Sequence, residues 1–256
     1  MKEKLFSIIT VTRNAATTLP TTIKSVAAQE CRDFEYIVID GASTDDTVDL
    51  ARKSGIDDLH ILSEPDRGLY DAMNKGLAMA TGTYVIFLNA GDAFHAPDTL
   101  ARLKAAATED GRQPDVIYGQ TAIVDASGCF LAERHLIAPE VLNADSFADG
   151  MVVCHQAFVA RRALAPLFDT SFRFSADYDW CIKILERSRL NRYVDATIID
   201  YLATGLTTTN RRRSLVERFR IMASHYGTAR AIGNHLRFVP RFIKRLRLEK
   251  KTFNHN

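Results

Sequence analysis

The chain is poor in the features that fix a protein by covalent or metal cross-links. Its four cysteines, Cys31, Cys129, Cys154 and Cys181, are scattered, with no C-x-x-C pair and no zinc-like spacing. This excludes a disulfide scaffold and a structural zinc site, and leaves free thiols as in a reducing compartment. Cys154 stands beside His155, but adjacency in sequence is not a catalytic geometry, so a small buried residue is expected there. No apolar run approaches the roughly 18–20 residues that a membrane span needs. The first residues, MKEKLFSIITVTRN, enter a strand directly and lack the apolar stretch and cleavage site of a signal peptide, so a cytoplasmic location is expected. TVTRNAATTLP, after the first strand, contains no glycine, which excludes the G-x-G-x-x-G turn of a dinucleotide dehydrogenase. There is no internal repeat and no low-complexity segment.

What is present is an ordinary globular composition: 256 residues, 46% hydrophobic and 25% charged. The length suits one large α/β domain, alone or with an appendage. The net charge of +2 hides a polarity. From residue 211 onward there are thirteen Lys and Arg against Glu217 and Glu249, a surplus of +11, so the first 210 residues carry −9. An acidic body with a basic tail implies that the tail meets something anionic.

Periodicity sets the elements. LFSIITVT (5–12), EYIVID (35–40), DLHILSEPD (58–66) and TYVIFLNAGD (83–92) read as strands. Helical spacing separates them in TTLPTTIKSVAAQE, GASTDDTVDLARKSG and GLYDAMNKGLAMATG, with Ser43 or Thr44 as the second helix's cap and Gly82 as the third's stop. Continuous apolar strands alternating with helices indicate a parallel sheet covered on both faces. Further on, PDTLARLKAAATED reads as a helix and 115–135 as a hairpin turning at Asp125–Gly128. MVVCHQAFVARRAL reads as a strand leading into a helix, and SADYDWCIKILERS as a helix capped by Ser175. RYVDATIIDYLA is a last strand. The tail is helical, with a break expected near Gly233 before RFVPRFIKRLRLEKK. The sheet should turn mixed after residue 115.

Ligands in such sheets sit beyond the carboxyl ends of the strands, and several candidate groups lie there. Asp40 closes the second strand; a carboxylate there accepts hydrogen bonds from a nucleobase or ribose, or from its own turn. Asp92 closes FLNAGD and can serve a divalent cation or cap a loop. PDRGLYDAMNKG (65–76) runs from a turn into a helix start, where Arg67, Lys75 and backbone N–H groups suit a diphosphate; Arg67 could equally pair with Asp66 or Glu64. Asp177 and Asp179 open a helix, and two carboxylates two apart cannot face the same way. One suits a general base, and both also suit the helix dipole.

In order, SIITVTRNA (7–15), YIVIDGASTDDT (36–47), SEPDRGLYDAMNKGLAMATG (63–82), FLNAGD (87–92), DVIYG (115–119), CHQAF (154–158) and SADYDW (175–180) resemble the family 2 glycosyltransferases of the GT-A fold. The branch is that of bacterial exopolysaccharide and colanic-acid-type transferases. The resemblance spans roughly residues 5–210. It implies a Rossmann-like nucleotide-sugar-binding half (1–98), an acceptor-binding half (99–210) with a mixed sheet, and a basic helical C-terminal tail (211–256). By this resemblance Thr12, Asn14 and Asp40 surround the nucleotide. Asp66, Arg67, Asn74 and Lys75 line the diphosphate and sugar pocket with Asn89. Asp92 is the metal-binding carboxylate for Mn²⁺ or Mg²⁺, Asp177 the base, and Asp179 its support. His155 and Gln156, with Tyr118, face the sugar or acceptor. Many relatives carry Asp-x-Asp-Asp where this chain has Asn89-Ala90-Gly91-Asp92, so both D-x-D carboxylates are replaced. Met73 stands where many place an arginine.

The implied activity is inverting transfer of a sugar from a UDP donor to a saccharide or lipid-linked acceptor hydroxyl. The tail mixes Phe238, Val239, Phe242, Ile243 and Leu246 with cations, as a peripheral contact with an anionic membrane would. A nucleotide-sugar-binding scaffold without catalysis is the alternative. Nucleic-acid binding through the tail is disfavoured by the acidic body.

Overall fold

The computed structural model of the chain describes residues 4–203 and 211–235. The first half alternates as the periodicity predicts: β1 (Phe6–Thr12), α1 (Leu19–Ala27), β2 (Phe34–Asp40), α2 (Thr47–Arg52), β3 (Leu59–Ser63), α3 (Leu69–Met79) and β4 (Tyr84–Phe87). Every residue of β1, β2 and β4 is buried, which is why these strands read as unbroken apolar runs. β1 lies parallel between β2 and β4, and β3 is parallel to β2. The register sets Thr12 opposite Asp40 and Asp40 opposite Ser63. Three polar residues from distant points of the chain thus meet at one sheet edge.

The second half adds β5 (Ala93–Phe94), α4 (Thr99–Thr108), β6 (Val116–Val124), β7 (Phe130–Glu133), β8 (Phe158–Arg161), α5 (Ala176–Leu185) and β9 (Asn191–Leu202). α6 (Arg211–Tyr226) and a short α7 over 228–235 follow. Among the described residues the sheet has nine strands in the order β3-β2-β1-β4-β8-β6-β9-β5, with β7 paired to β6. β8 is antiparallel to both β4 and β6, while β9 runs parallel to β6, so the sheet is mixed beyond β4 as expected. The β6–β7 hairpin turns at Asp125–Gly128, closed by Gly128 N–H donating to the Asp125 carbonyl at 3.0 Å.

Four expectations need correction. α2 starts at Thr47, because Ser43 is drawn back to Asp40 and Thr44 to Asn14 instead of capping. α3 ends at Met79, with Ala80 already extended before Gly82 is reached. Residues 154–164 hold only the short β8 between two single 3-10 turns, His155–Ala157 and Arg162–Leu164, because its ladder partners on β4 and β6 extend only over Phe158–Arg161. Among the described residues the tail breaks at Gly227, whose φ of +84° suits glycine, and Gly233 lies inside the following helix; the segment from 236 on lies outside them.

The core carries an aromatic cluster of Phe87, Phe158, Phe168 and Trp180, with Phe168 stacked on Trp180 at 4.9 Å between centroids. Trp180 Nε1–H donates to the Pro166 carbonyl at 2.8 Å, which satisfies the one polar atom of that indole. α6 is fastened across α5 by polar bonds. His225 bridges Asp179 (2.8 Å) and Glu186 (2.7 Å), and Glu217 accepts from the Arg173 and Phe174 N–H groups at 2.9 and 2.8 Å. Ser175 makes no side-chain cap of its own helix; its hydroxyl lies 3.1 Å from that of Ser214. Among the described residues, no helix is long and apolar enough to cross a membrane. Most of GLTTTNRRR and all of RFVPRFIKRLRLEKK lie outside the described residues.

Candidate active site

The carboxyl edge of β1, β2 and β4 carries two polar clusters. The first is built on Asp40, which is fully buried. Its Oδ1 accepts from Thr12 Oγ1 at 3.1 Å and from the Ser43 hydroxyl; its Oδ2 accepts from Ser63 Oγ at 2.7 Å and Ser43 N–H at 2.9 Å. Burial pushes its pKa up, but these bonds outweigh it and hold the carboxyl below the usual range. Four donors fill a carboxylate's capacity, so Asp40 organises the loop at this edge through its own turn.

Asn14, at φ +50°, donates its N–H to Ser43 Oγ at 2.7 Å, and its Oδ1 accepts from Thr44 N–H at 2.9 Å. Ala42, at φ +54°, is the other non-glycine residue with positive φ among the described residues. Backbone strain of this kind collects at functional edges. Asp66 approaches the same loop: a Cβ at Gly41 would collide with its carboxylate, and its Oδ1 accepts from Gly68 N–H at 2.8 Å.

The second cluster joins α3, β4, the 155–157 turn and α5. Asp177 Oδ1 accepts from the Tyr70 hydroxyl at 3.0 Å, and Oδ2 lies 3.1 Å from His155 Nδ1. His155 Nε2 lies 3.2 Å from Asn89 Nδ2, while Asn89 Oδ1 is buried without a partner. Burial pushes the Asp177 pKa up, but the His155 bond, the His155 and Arg218 charges and the Tyr70 bond together outweigh it and hold the carboxyl below its ordinary value. Burial and the neighbouring Asp177 raise the Tyr70 hydroxyl well above its usual range. Next to this chain, Gln156 Nε2–H donates to Asp92 Oδ2 at 2.7 Å, and Leu202 N–H donates to Oδ1 at 3.0 Å. Burial of Asp92 lifts its pKa to about 6.

The structure therefore brings Asn89, His155 and Asp177 together, and groups Thr12, Asn14, Asp40 and Asp66 along the same edge. Other expected site residues are engaged elsewhere. Arg67 is exposed and pairs with Asp71 at 3.0 Å, not with Asp66 or Glu64. Lys75 Nζ is held by Glu64 and the Pro65 carbonyl, both at 2.8 Å. Asn74 uses both amide atoms on Phe168, donating to its carbonyl at 3.0 Å and accepting from its N–H at 2.7 Å. Asp179 binds His225 and Lys183 and so secures α6. Tyr118 is buried and donates toward the Pro139 and Glu140 carbonyls. Gln156 spends its amide on Asp92 and Cys154.

Cys154 is buried, with its thiol pushed up to about 11 by that burial, so it is not a poised nucleophile. Each oxygen of Asp92 accepts one N–H donor and keeps a second lone pair, so Asp92 can still offer an oxygen to a hard cation whose other ligands come from elsewhere. Among the described residues no three His, Cys, Asp or Glu side chains gather as a metal site. Tyr70 and Arg218 were missed by sequence reasoning. The Arg218 charge acts on Asp177 from α6, and its Nε is buried without a partner. Only the position of Tyr70 inside DRGLYDAMNKG hinted at it.

Comparison with known proteins finds relatives of the chain. The family model described as Glycosyl transferase family 2 matches residues 7–165. A PGL/p-HBAD biosynthesis glycosyltransferase of Mycobacterium tuberculosis is 34% identical over 216 residues, covering 80% of this chain and 79% of that one. The amylovoran biosynthesis glycosyltransferase of Erwinia amylovora is 29% identical over 197 residues, covering 72% and 64%. The crystal structure of residues 1–349 of S. aureus TarS in complex with UDP superposes with a TM-score of 0.71 at 20% identity, over 94% of this chain and 72% of that one. At that identity the likeness carries the fold, a mixed α/β sheet of the GT-A kind.

Proposed function

The chain belongs to glycosyltransferase family 2, and from that premise we propose that it moves a sugar from a nucleoside diphosphate donor to a hydroxyl of a saccharide or glycolipid acceptor. The donor is a UDP-sugar, a reading favoured by the UDP held by a protein of the same fold. The acceptor belongs to surface polysaccharide or glycolipid assembly, the process named for two of the relatives. The observation that carries the proposal is the Tyr70–Asp177–His155–Asn89 chain of contacts, lying beside the strand edge where Asp40 shapes the nucleotide loop.

The acceptor hydroxyl attacks the anomeric carbon as the bond to the diphosphate oxygen breaks. One displacement inverts the configuration, and the hydroxyl proton leaves toward Asp177 and His155. Much of the rate comes from holding the two substrates in line. A cation, where bound with the donor, would neutralise charge growing on the leaving diphosphate. The protein's own part lies in orienting the hydroxyl and accepting its proton.

Calorimetry with UDP and GDP, each with and without Mn²⁺, tests the donor. UDP binding that is lost in Asp40→Ala, with the fold retained, supports the reading. Preference for GDP would replace UDP as the donor nucleotide, and no binding of either by folded protein would remove the nucleotide site. A tenfold gain with Mn²⁺ that is lost in Asp92→Ala would assign a cation to Asp92.

A further inference from the structure

α6 carries a cation on the face that it turns to the body of the protein. Its inward stripe runs through Ser214, Ile221, Met222 and His225, the first three of them buried. Ser214 Oγ lies 3.1 Å from Ser175 Oγ at the head of α5, and His225 Nε2 lies 2.8 Å from Asp179. Arg218 comes one turn after Ser214 and one turn before Ile221 and Met222. It therefore belongs to the same stripe and faces the first turn of α5, between those two contacts. Asp177 stands in that turn. Arg218 acts on it through its charge, with no hydrogen bond between the two, and acts in the same way on Tyr178. We propose that Arg218 is a substrate-binding residue whose guanidinium takes a phosphate oxyanion beside Asp177, supplied by the donor diphosphate or by a phosphate on the acceptor.

Two observations ask for such a ligand. The side chain is half-buried, and its Nε is shut off from solvent without a hydrogen-bond partner. A cation turned inward is normally paired, because taking it from water is costly. The carboxylates along α6 hold other groups instead. Asp179 binds Lys183 and His225, Glu186 binds His225, and Glu217 accepts from the Arg173 and Phe174 N–H groups. Among the described residues none of them forms an ion pair with Arg218. The second observation is that the cations of the DRGLYDAMNKG segment are turned away, Arg67 to Asp71 and Lys75 to Glu64. That leaves Arg218 as the arginine whose charge reaches Asp177.

Phosphate fits this vacancy in chemistry and in shape. A guanidinium can meet it side-on, Nε–H and one Nη–H donating to two oxygens as a fork. A phosphate bound in this way satisfies the orphan Nε. Lysine would keep the charge but has neither the Nε donor nor the fork. The proposal rests on the transferase reading above, in which the donor brings a diphosphate and a lipid-linked acceptor can bring a phosphate of its own. A side chain that merely extends its Nη groups to water needs no ligand, and anions would then leave its Nε–H undisturbed.

Nitrogen-15 NMR of the arginine Nε–H groups of the full chain tests it, with the Arg218 signal assigned by its loss in Arg218→Lys. Uridine, UDP and then inorganic phosphate are titrated in turn, and calorimetry gives the affinities. If the donor is the source, UDP shifts the Arg218 signal and uridine does not. Arg218→Gln and Arg218→Lys then each weaken UDP about tenfold or more, with uridine unchanged. If the acceptor is the source, UDP leaves the signal in place and phosphate added to the UDP-saturated protein shifts it. Both variants then lose about tenfold or more in phosphate affinity and keep that for UDP. A signal that neither anion moves would overturn the proposal. So would unchanged UDP and phosphate affinities in both variants, with circular dichroism showing them folded. Should a variant fail to fold, the wild-type signal decides. A wild type that binds neither uridine nor UDP would sink the transferase reading instead. Phosphate titrated into that free protein would still judge Arg218, a shifted signal supporting the phosphate site and an unmoved one overturning it.

Discussion

Asp92 is a carboxylate held where little water reaches. Its pKa of about 6, raised by burial, lies above the ordinary 3.8 that it takes in the unfolded chain. Between about pH 4 and 6 the folded state therefore keeps a proton that the unfolded state has lost. Stability from this site falls as pH rises through that window, and the cost is complete above it. Its upper bound is about 3 kcal/mol, from roughly two pKa units at 1.36 kcal/mol each. Urea unfolding of wild type and Asp92→Asn from pH 4 to 7.5 should show the wild type losing ground to the variant as pH rises. A constant difference would mean that the carboxylate is better solvated than its 4% exposure implies. At this scale the sequence was half legible. It marked Asp40 and Asp92 as strand-end carboxylates, but their partners Ser63, Gln156 and Leu202 are set by register and strand order, which no local pattern reveals.

At the scale of elements, one of the attachments of α6 is an imidazole between two carboxylates. His225 has its pKa raised, first by the Asp179 bond, against a downward push from burial, and further by Glu186. Lys183 shares Asp179 with it, at 2.6 Å. A group with a raised folded pKa contributes fully below its unfolded value near 6.5, and that contribution disappears as pH rises through the folded one. Hydrogen-exchange protection factors of α6 should therefore fall between pH 6 and pH 8.5 in the wild type. In His225→Gln they should be low and nearly the same at both. Equal wild-type protection at the two pH values would remove this imidazole from the attachment. Elements with strong periodicity, β1 to β4 and α1 to α5, were legible because burial on both faces or on one stripe leaves a repeating signature. The 154–164 segment was not. Its apolar run is as compatible with strand and helix as with what it forms, a short strand shared between two neighbours. The tail break was placed at Gly233 because glycine identity alone does not tell which of two glycines takes positive φ.

At the scale of the whole molecule, the charge is unevenly distributed. The surplus of +11 after residue 210 opposes −9 before it. An enzyme whose acceptor is lipid-linked gains from a basic segment that holds it at an anionic surface. Binding to vesicles containing anionic lipid should exceed binding to neutral ones and weaken steeply between 50 and 300 mM salt. It should drop by an order of magnitude or more when Arg241, Lys244, Arg245 and Arg247 are changed to Gln, with UDP binding unchanged. Salt-insensitive binding, or none, would separate the tail from the membrane. The fold class was legible from alternation alone. The mixed half was visible only as a loss of regular alternation, because antiparallel insertion of β8 depends on contacts far apart in the chain.

The Asp92–Leu202 bond spans 110 residues, and that distance has a consequence for the order in which the protein is made. A ribosome delivers the chain from its N-terminus, and segments organise as they emerge. The parallel β1–β4 block, with the Asp40 loop already complete, is available while most of the second half is still unsynthesised. Asp92, His155 and Asp177 are secured only after β9 and α6 have left the exit tunnel. On the proposed transferase reading, a product truncated before His155 would carry the Asp40 loop without His155 or Asp177, and would be unable to transfer.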